Sequence, residues 1–463
     1  MPQRYTYSDP TLSLWQAAAA EVHRRRKSVQ NRMASATSKR FTPLRLPSEE
    51  DLMSPVHTLG ASLSAGQPVT QEILSTAPPK VGPAIEPRAL TAVPIDCAKV
   101  AAQFLWAEIT GDQQKSQKLA GELKYAVCDI AGWSECLSTY LAYKAYMLLG
   151  GKRPYRPNMN VVVDLGEKTR LAILGDWGTG DEVAINLLQQ VAALKPDVLI
   201  HLGDVYYAGT QGEEQTNFLD VCHQILGSGV PLFSLCGNHD MYSGGNGYYY
   251  LVDRIGQQAS YFCLQNPDWQ FLAMDTGHND NNPITVSSNM TSLMTIDNWS
   301  EADWHLAKIQ QSGTRRTILL SHHQLFSPFG SVGTVNGQPY AYNPNLFANF
   351  QSVLARVVWW FWGHEHTLAI FDPYMSLQRG RCVGASAVPV FTDQQKYANA
   401  GGLQTYQNGA LPTWNPKGVL GGNGTDYNHA FAMVILNGAS ANVEYYQVPV
   451  LGTASKIQVT DSA

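Results

Sequence analysis

Two textures divide the chain. From residue 114 to 149 the apolar positions Leu119, Leu123, Val127, Ile130, Leu137, Leu141, Ala145 and Leu148 recur at three or four residues, a spacing that lays one apolar stripe along an α-helix. Gly150, Gly151 and Pro154 follow, and flexible glycines with a proline that cannot donate its backbone nitrogen end such a helix. After residue 160 the pattern changes to short runs rich in β-branched and aliphatic residues, at 171–174, 198–202, 231–236, 271–274, 317–320 and 357–362. These predict strands separated by helical or loop segments. Residues 431–436 and 443–448 read as two later strands, expected in a second sheet.

The first part of the chain has a different organisation. Residues 13–33 read as a helix carrying the basic cluster His23, Arg24, Arg25, Arg26 and Lys27, a run more typical of a solvated helix face than of a polyanion site. Nine of the 25 prolines fall between Pro43 and Pro94, which predicts an extended connection over the surface of something larger. There is no internal repeat and no low-complexity tract. The expected division is an N-terminal, mainly helical and proline-rich extension over 1–158 and a catalytic domain over 159–463.

Composition narrows the function by exclusion. With 463 residues, 44% of them hydrophobic, the chain can fill two or three ordinary cores, or one large core with an appendage. Charged residues make up 15% and the net charge is −5, so no basic footprint marks a dedicated nucleic-acid binder. No apolar stretch, 357–362 included, approaches the roughly 18 residues a membrane helix needs. Residues 1–30 lack the apolar block of a secretory leader, so the expected compartment is the cytoplasm. The seven cysteines are an odd number without short paired spacing, and read as small buried hydrophobes rather than a zinc or disulfide framework. The sequons at Asn289, Asn298 and Asn423 would matter only in a secreted chain.

The chemistry sits at the strand ends. Five blocks follow apolar runs: Gly175-Asp176-Trp177-Gly178, Gly203-Asp204-Val205-Tyr206-Tyr207, Gly237-Asn238-His239-Asp240, Leu319-Leu320-Ser321-His322 and Gly363-His364-Glu365-His366. In layered α/β sheets ligands bind beyond the carboxyl ends of strands, so distant blocks can converge there. Two carboxylates, a phenol, an amide oxygen and three imidazoles are hard or borderline donors suited to iron, manganese or zinc. They exceed what one ion needs and suggest two ions about 3.5–4 Å apart, the arrangement that clamps both oxygens of a phosphoryl transfer. His323 either touches phosphate or is a neutral neighbour of His322. His201 reads as a core histidine, and Asp275 with His278 can shape a pocket.

In this order the blocks resemble the calcineurin-like metallophosphoesterase superfamily over about residues 165–375, and within it the purple acid phosphatase branch. The resemblance implies that Asp176, Asp204, Tyr207 and His366 surround one ion and Asp204, Asn238, His322 and His364 the other. Most members of the superfamily carry a ligating histidine two residues after the first aspartate. Here Gly178 stands in that place and Tyr207 supplies a phenolate, a hard anionic donor favouring Fe(III). Fe(III) with a divalent Fe, Zn or Mn then leaves the site at about +2, attractive to a phosphate dianion. By the same resemblance a metal-bound hydroxide attacks phosphorus, His239 protonates the leaving group and Asp240 orients His239.

The implied architecture is a four-layer α/β/β/α sandwich, two sheets face to face with helices outside, carrying the N-terminal extension. The implied activity is metal-dependent hydrolysis of phosphate esters, most simply of monoesters as in an acid phosphatase. Rival expectations are a phosphodiesterase or phosphotriesterase with the same centre, and, from another class, a catalytically silent binding scaffold. The chain departs from the family in two places: residues 324–337 lack the further histidine with which some purple acid phosphatases contact substrate, and 1–158 resemble no known segment, least of all the β-sandwich of the large plant enzymes. Substrate identity and oligomeric state are not legible.

Overall fold

The alternation of side chains along the strands sets the layering. In a computed structural model of the chain, Leu171 and Ile173 of the strand Lys168–Leu174 enter one core while Ala172 and Leu174 enter another. Ile318 and Leu320 are likewise separated from Leu319, and Trp359 and Phe361 from Trp360 and Trp362. A strand buried on both faces reads as an unbroken apolar run, because successive residues point to opposite sides. The structure describes residues 5–6, 124–125, 129–148, 150–283, 292–335, 338–392, 395–424 and 426–463. The helix expected at 13–33, the proline-rich 43–94 stretch and the sequon at Asn289 lie outside the described residues, as does most of the 1–158 extension.

Two sheets carry the molecule. One has six strands, ordered Ser455–Lys456, Ser440–Val448, His429–Asn437, Lys168–Leu174, Val198–His201 and Leu232–Ser234, the last three mutually parallel. The other has seven, ordered Leu368–Ile370, Gly380–Val383, Val357–Trp362, Arg316–Ser321, Trp269–Ala273, Phe262–Gln265 and Val162–Asp164. In it Trp269–Ala273, Arg316–Ser321 and Val357–Trp362 run parallel. The faces turned toward each other share one core, which joins Ile173 and Ile200 of the six-stranded sheet to Phe271, Ile318 and Phe361 of the seven-stranded sheet.

Helices cover the outer faces. Leu187, Leu188 and Val191 of Glu182–Ala193, with Val221 and Cys222 of Asp220–Leu226, pack outside the six-stranded sheet. Ile309 of Glu301–Gln310 and Leu346 and Phe350 of Pro344–Phe350 pack outside the seven-stranded one. These are the four layers expected from the sequence, in a mixed α/β fold. The late strands at 429–437 and 440–448 form no sheet of their own. His429–Asn437 pairs antiparallel with Lys168–Leu174 and so extends the sheet of the first blocks.

By its internal contacts the chain has two units, Met1–Ser8 with Thr139–Ala463, and Asp9–Ser138. In the second the described residues include the start of a helix, Ile130–Leu148, at whose N-terminus Asp129 Oδ1 accepts the amide of Gly132, satisfying one otherwise unpaired helix donor. The helix stops where Gly150 takes φ +89°, as Gly150, Gly151 and Pro154 predict. All five chemical blocks lie in the first unit.

Candidate metal centre

Parallel strands bring their carboxyl ends to one edge. Lys168–Leu174, Val198–His201 and Leu232–Ser234 end beside the Asp176, Asp204 and Asn238 loops, and Arg316–Ser321 and Val357–Trp362 end beside His322 and His364. The loops are stitched to one another. Asp176 N–H donates to Gly203 O (3.2 Å), Tyr206 N–H to Gly178 O (2.9 Å) and Gly363 N–H to His322 O (2.9 Å). The turns are tight: Asp176, Asp204, His364 and His366 all have positive φ, 57°, 77°, 70° and 46°, a conformation unusual for residues with a side chain and concentrated at functional sites. A Cβ on Gly237 would fall 2.1 Å from Asp204 Oδ1, and one on Gly363 would fall 2.6 Å from Asp176 Oδ2. Glycine is required there because carboxylates occupy that space.

Two groups of donor atoms meet on Asp204. On one side the Tyr206 hydroxyl lies 3.2 Å from Asp176 Oδ1, 3.2 Å from Asp204 Oδ2 and 3.0 Å from His366 Nε2. On the other, His322 Nε2 lies 2.9 Å from Asn238 Oδ1, 3.2 Å from His364 Nδ1 and 3.5 Å from Asp204 Oδ2. The groups Asp176, Asp204, His366 and His322, His323, His364 each bring potential metal-binding atoms within 4.8 Å of one another.

The hydrogen bonds outside the site aim lone pairs into it. His322 Nδ1 is 3.0 Å from Leu202 O; a carbonyl only accepts, so Nδ1 carries the proton and Nε2 faces inward as a lone pair. Asn238 Nδ2 donates to Tyr242 Oη at 2.7 Å, which turns Oδ1 inward. Two acceptors therefore confront each other at 2.9 Å. Burial pushes the His322 pKa well below its usual value, with neighbouring His323 and His364 adding to the effect, so no second imidazole proton relieves the contact. Burial, then repulsion from Asp176 and Asp240, raises Asp204 well above the carboxylate range. Burial, then Asp176 and Asp204, raises the Tyr206 phenol. Buried lone pairs and like charges pressed together are what a bound cation would relieve, and the donor set fits a pair of ions.

Tyr206, Asp240 and His323 take distinct places around the cluster. The Tyr206 hydroxyl, on a residue 1% exposed, stands in the cluster where the sequence pointed to Tyr207, and the Tyr207 carbonyl accepts from His239 Nδ1 at 2.7 Å. The bond from Tyr206 N–H to Gly178 O pins this residue against the first loop, and its ring packs 4.4 Å from that of His239. Asp240 turns its carboxylate to the backbone. Its carboxylate accepts the amides of Asp204 (3.1 Å), Val205 (2.9 Å) and Gly237 (2.6 Å), so it ties two loops together, while Tyr207 O orients the imidazole. His323 is fully buried between Thr276 and Asp280, its Nδ1 3.0 Å from Thr276 Oγ1 and its Nε2 3.1 Å from Asp280 Oδ2. His239 lies beside the cluster, Nε2 3.9 Å from Asp204 Oδ2.

Other placements follow. His201 is buried behind the site with Nδ1 3.2 Å from Ser234 Oγ, a core position as expected. Asp275 and His278 head a buried loop in which Asp275 Oδ1 accepts the His278 amide at 2.9 Å. Four contributors were not singled out from sequence: Tyr242, Thr276, Asp280 and Glu213. The Glu213 carboxylate accepts the amides of Tyr207, Ala208 and Thr210 and the Thr210 hydroxyl, holding the loop after Asp204. Its signal was present as a Thr-x-x-Glu capping box, and that of Tyr242 as a position four residues beyond Asn238. Thr276 and Asp280 carry no local signature.

Residues 169–368 match the family model for calcineurin-like phosphoesterases. This stretch contains all five blocks and both groups of potential metal-binding atoms. No curated protein matches the chain. Among solved structures it is similar to GAP50, described as the anchor in the inner membrane complex of Plasmodium, at 13% identity and TM-score 0.38, over 63% of this chain and 87% of that one. It is similar to zinc-complexed Vps29 from Entamoeba histolytica, at 11% identity and TM-score 0.29, over 63% and 98%, and to the protein TT1561 of Thermus thermophilus, at 9% and 0.30, over 50% and 96%. Among the described residues no helix is long and apolar enough to cross a membrane.

Proposed function

We propose that the protein is a dinuclear-metal phosphoesterase of the purple acid phosphatase type, acting on phosphate monoesters. The observation that carries this reading is the meeting of two donor sets on one buried carboxylate oxygen, Asp204 Oδ2, with a phenol in one set and an inward-facing amide oxygen and imidazoles in the other. Asp176, Tyr206 and His366 with Asp204 would hold Fe(III), for which a phenolate is a fitting donor. Asn238, His322 and His364 with Asp204 would hold a divalent Fe, Zn or Mn. When bound, such a pair supplies positive charge against phosphate oxygens and acidifies water as a nucleophile.

The chain's own groups carry the remaining tasks. His239 donates its Nδ1 proton to Tyr207 O, leaving Nε2 directed toward the cluster as the atom that would hand a proton to the departing alkoxide. Burial pushes this imidazole down to about 3; an adjacent phosphate dianion would favour its charged form, so the reading implies turnover that is greatest in acid solution. Asp240, by bonding three amides, keeps the Asp204 and Asn238 loops at fixed separation. The test is a comparison of p-nitrophenyl phosphate with bis(p-nitrophenyl) phosphate after loading with iron and zinc. Preferential monoester turnover supports the reading, diester preference replaces it with a phosphodiesterase, and inertness toward both removes it.

A further inference from the structure

His323 sits beside the site, packed against two of its imidazoles. Its ring centroid is 4.6 Å from that of His364 and 4.9 Å from that of His322, which it meets nearly at right angles (89°). The three imidazoles form one packed group, in which His322 Nε2 faces Asn238 Oδ1 and Asp204 Oδ2 and lies 3.2 Å from His364 Nδ1. Both ring nitrogens of His323 are engaged on its far side. Thr276 Oγ1 lies 3.0 Å from Nδ1 and also accepts the His323 amide at 3.1 Å; Asp280 Oδ2 lies 3.1 Å from Nε2. A hydroxyl has one donor and two acceptor positions. A neutral imidazole satisfies all three contacts if Thr276 accepts the amide proton and donates to Nδ1, leaving Nε2–H to donate to Asp280.

The loop that supplies these partners is anchored at both ends. Upstream, the Asp275 amide donates to Glu301 Oε1 (2.8 Å) and Asp275 Oδ1 accepts from His278 N–H. Glu301 Oε2 in turn accepts the Tyr155 hydroxyl at 2.8 Å. In the middle, a Cβ on Gly277 would fall 2.3 Å from Gly237 O, so this loop is wedged directly against the one bearing Asn238. Asp280 N–H closes back on Gly277 O at 2.9 Å. The segment from Asp275 to Asp280 is thus a rigid bracket between the buried acid Glu301 and the imidazole group.

We propose that Thr276 and Asp280 are positioning residues: they clamp His323 as a fixed wall that holds the His322 and His364 rings in the orientation needed to take a metal ion. His323 is on this view neither a phosphate contact nor a ligand. The inference rests on the metal-centre reading above and adds to it the residues that set the affinity of the second position. Partners that orient ligating imidazoles contribute roughly 10–100-fold to metal affinity.

The probe is Mn(II) alone, titrated into the metal-free full-length protein and followed by electron paramagnetic resonance and calorimetry. The wild type should take up two ions. Asp280→Ala and Thr276→Val should weaken the second by about tenfold or more, whereas Asp280→Asn and Thr276→Ser, which keep an acceptor for Nε2–H and a hydroxyl for Nδ1, should stay within about threefold of wild type. Circular dichroism and melting curves identify any variant that fails to fold, and the conservative pair still decides the matter: a loss as large in Asp280→Asn as in Asp280→Ala overturns the clamp. So does unchanged Mn(II) affinity in a folded Asp280→Ala. Wild-type protein that takes up no Mn(II) sinks the metal-centre reading itself, and this inference with it.

Discussion

The Tyr206 hydroxyl lies 3.2 Å from Asp204 Oδ2, the same oxygen that His322 Nε2 approaches at 3.5 Å from the other side. One carboxylate oxygen therefore serves both halves of the centre. Its partner Oδ1 is engaged by the His239 amide at 2.9 Å, which fixes the plane of the group. Asp204→Asn would replace one of these oxygens with an amide nitrogen, a donor that cannot bridge cations. Metal analysis after dialysis should fall from two ions to one or none per chain, with the far-ultraviolet circular dichroism of the wild type retained.

The role of His239 predicts a dependence on leaving group. A proton donor matters most when the departing alkoxide is strongly basic. His239→Asn should lower kcat on an alkyl monoester such as glycerol phosphate by about 10²-fold or more, and considerably less on p-nitrophenyl phosphate, whose phenolate departs without help. Parallel steady-state measurements on the two substrates check this. Equal losses on both would assign His239 to binding instead.

A second buried carboxylate, Asp461, bears on stability. Asp461 accepts from Arg381 Nε (2.7 Å) and Nη2 (3.1 Å), the Tyr445 hydroxyl (2.5 Å) and Trp359 Nε1 (3.0 Å). Burial pushes its pKa up, but the Arg381 guanidinium, assisted by Tyr445 and Trp359, outweighs burial and holds the carboxyl below its ordinary value. A depressed folded-state pKa means that this stabilisation is complete above the unfolded carboxylate range, near about pH 4, and is lost as pH falls through the lower folded value. Urea midpoints should therefore drop more steeply between about pH 5 and pH 3 in the wild type than in Asp461→Asn. At neutral pH Asp461→Ala, which strands a buried guanidinium, should cost about 3–5 kcal/mol.

Much of this was legible in the chain because strand periodicity and chemistry coincide. The runs at 171–174, 317–320 and 357–362 are apolar at nearly every position since both faces of each strand are buried, and the polar blocks that follow are the loops at the strand ends. The placement of 429–437 was not legible, since an apolar run does not say which edge it joins; its register with Lys168–Leu174 is a long-range pairing. The choice between Tyr206 and Tyr207 was equally hidden. Adjacent phenols are chemically identical, and the backbone bond from Tyr206 N–H to Gly178 O that seats Tyr206 against the Asp176 loop is a long-range contact. The bracket at Thr276 and Asp280 escaped for the same reason, as its partner His323 lies more than forty positions away.

The most direct measurement is the visible spectrum of the iron-loaded protein and two phenylalanine variants. A phenolate on Fe(III) absorbs in the visible by charge transfer, and on the proposed reading that phenolate is Tyr206, whose hydroxyl lies 3.0–3.2 Å from Asp176, Asp204 and His366. Tyr206→Phe should bleach the band while Tyr207→Phe retains it. A band that survives Tyr206→Phe, or disappears in Tyr207→Phe, would contradict the assignment of the phenol to this centre.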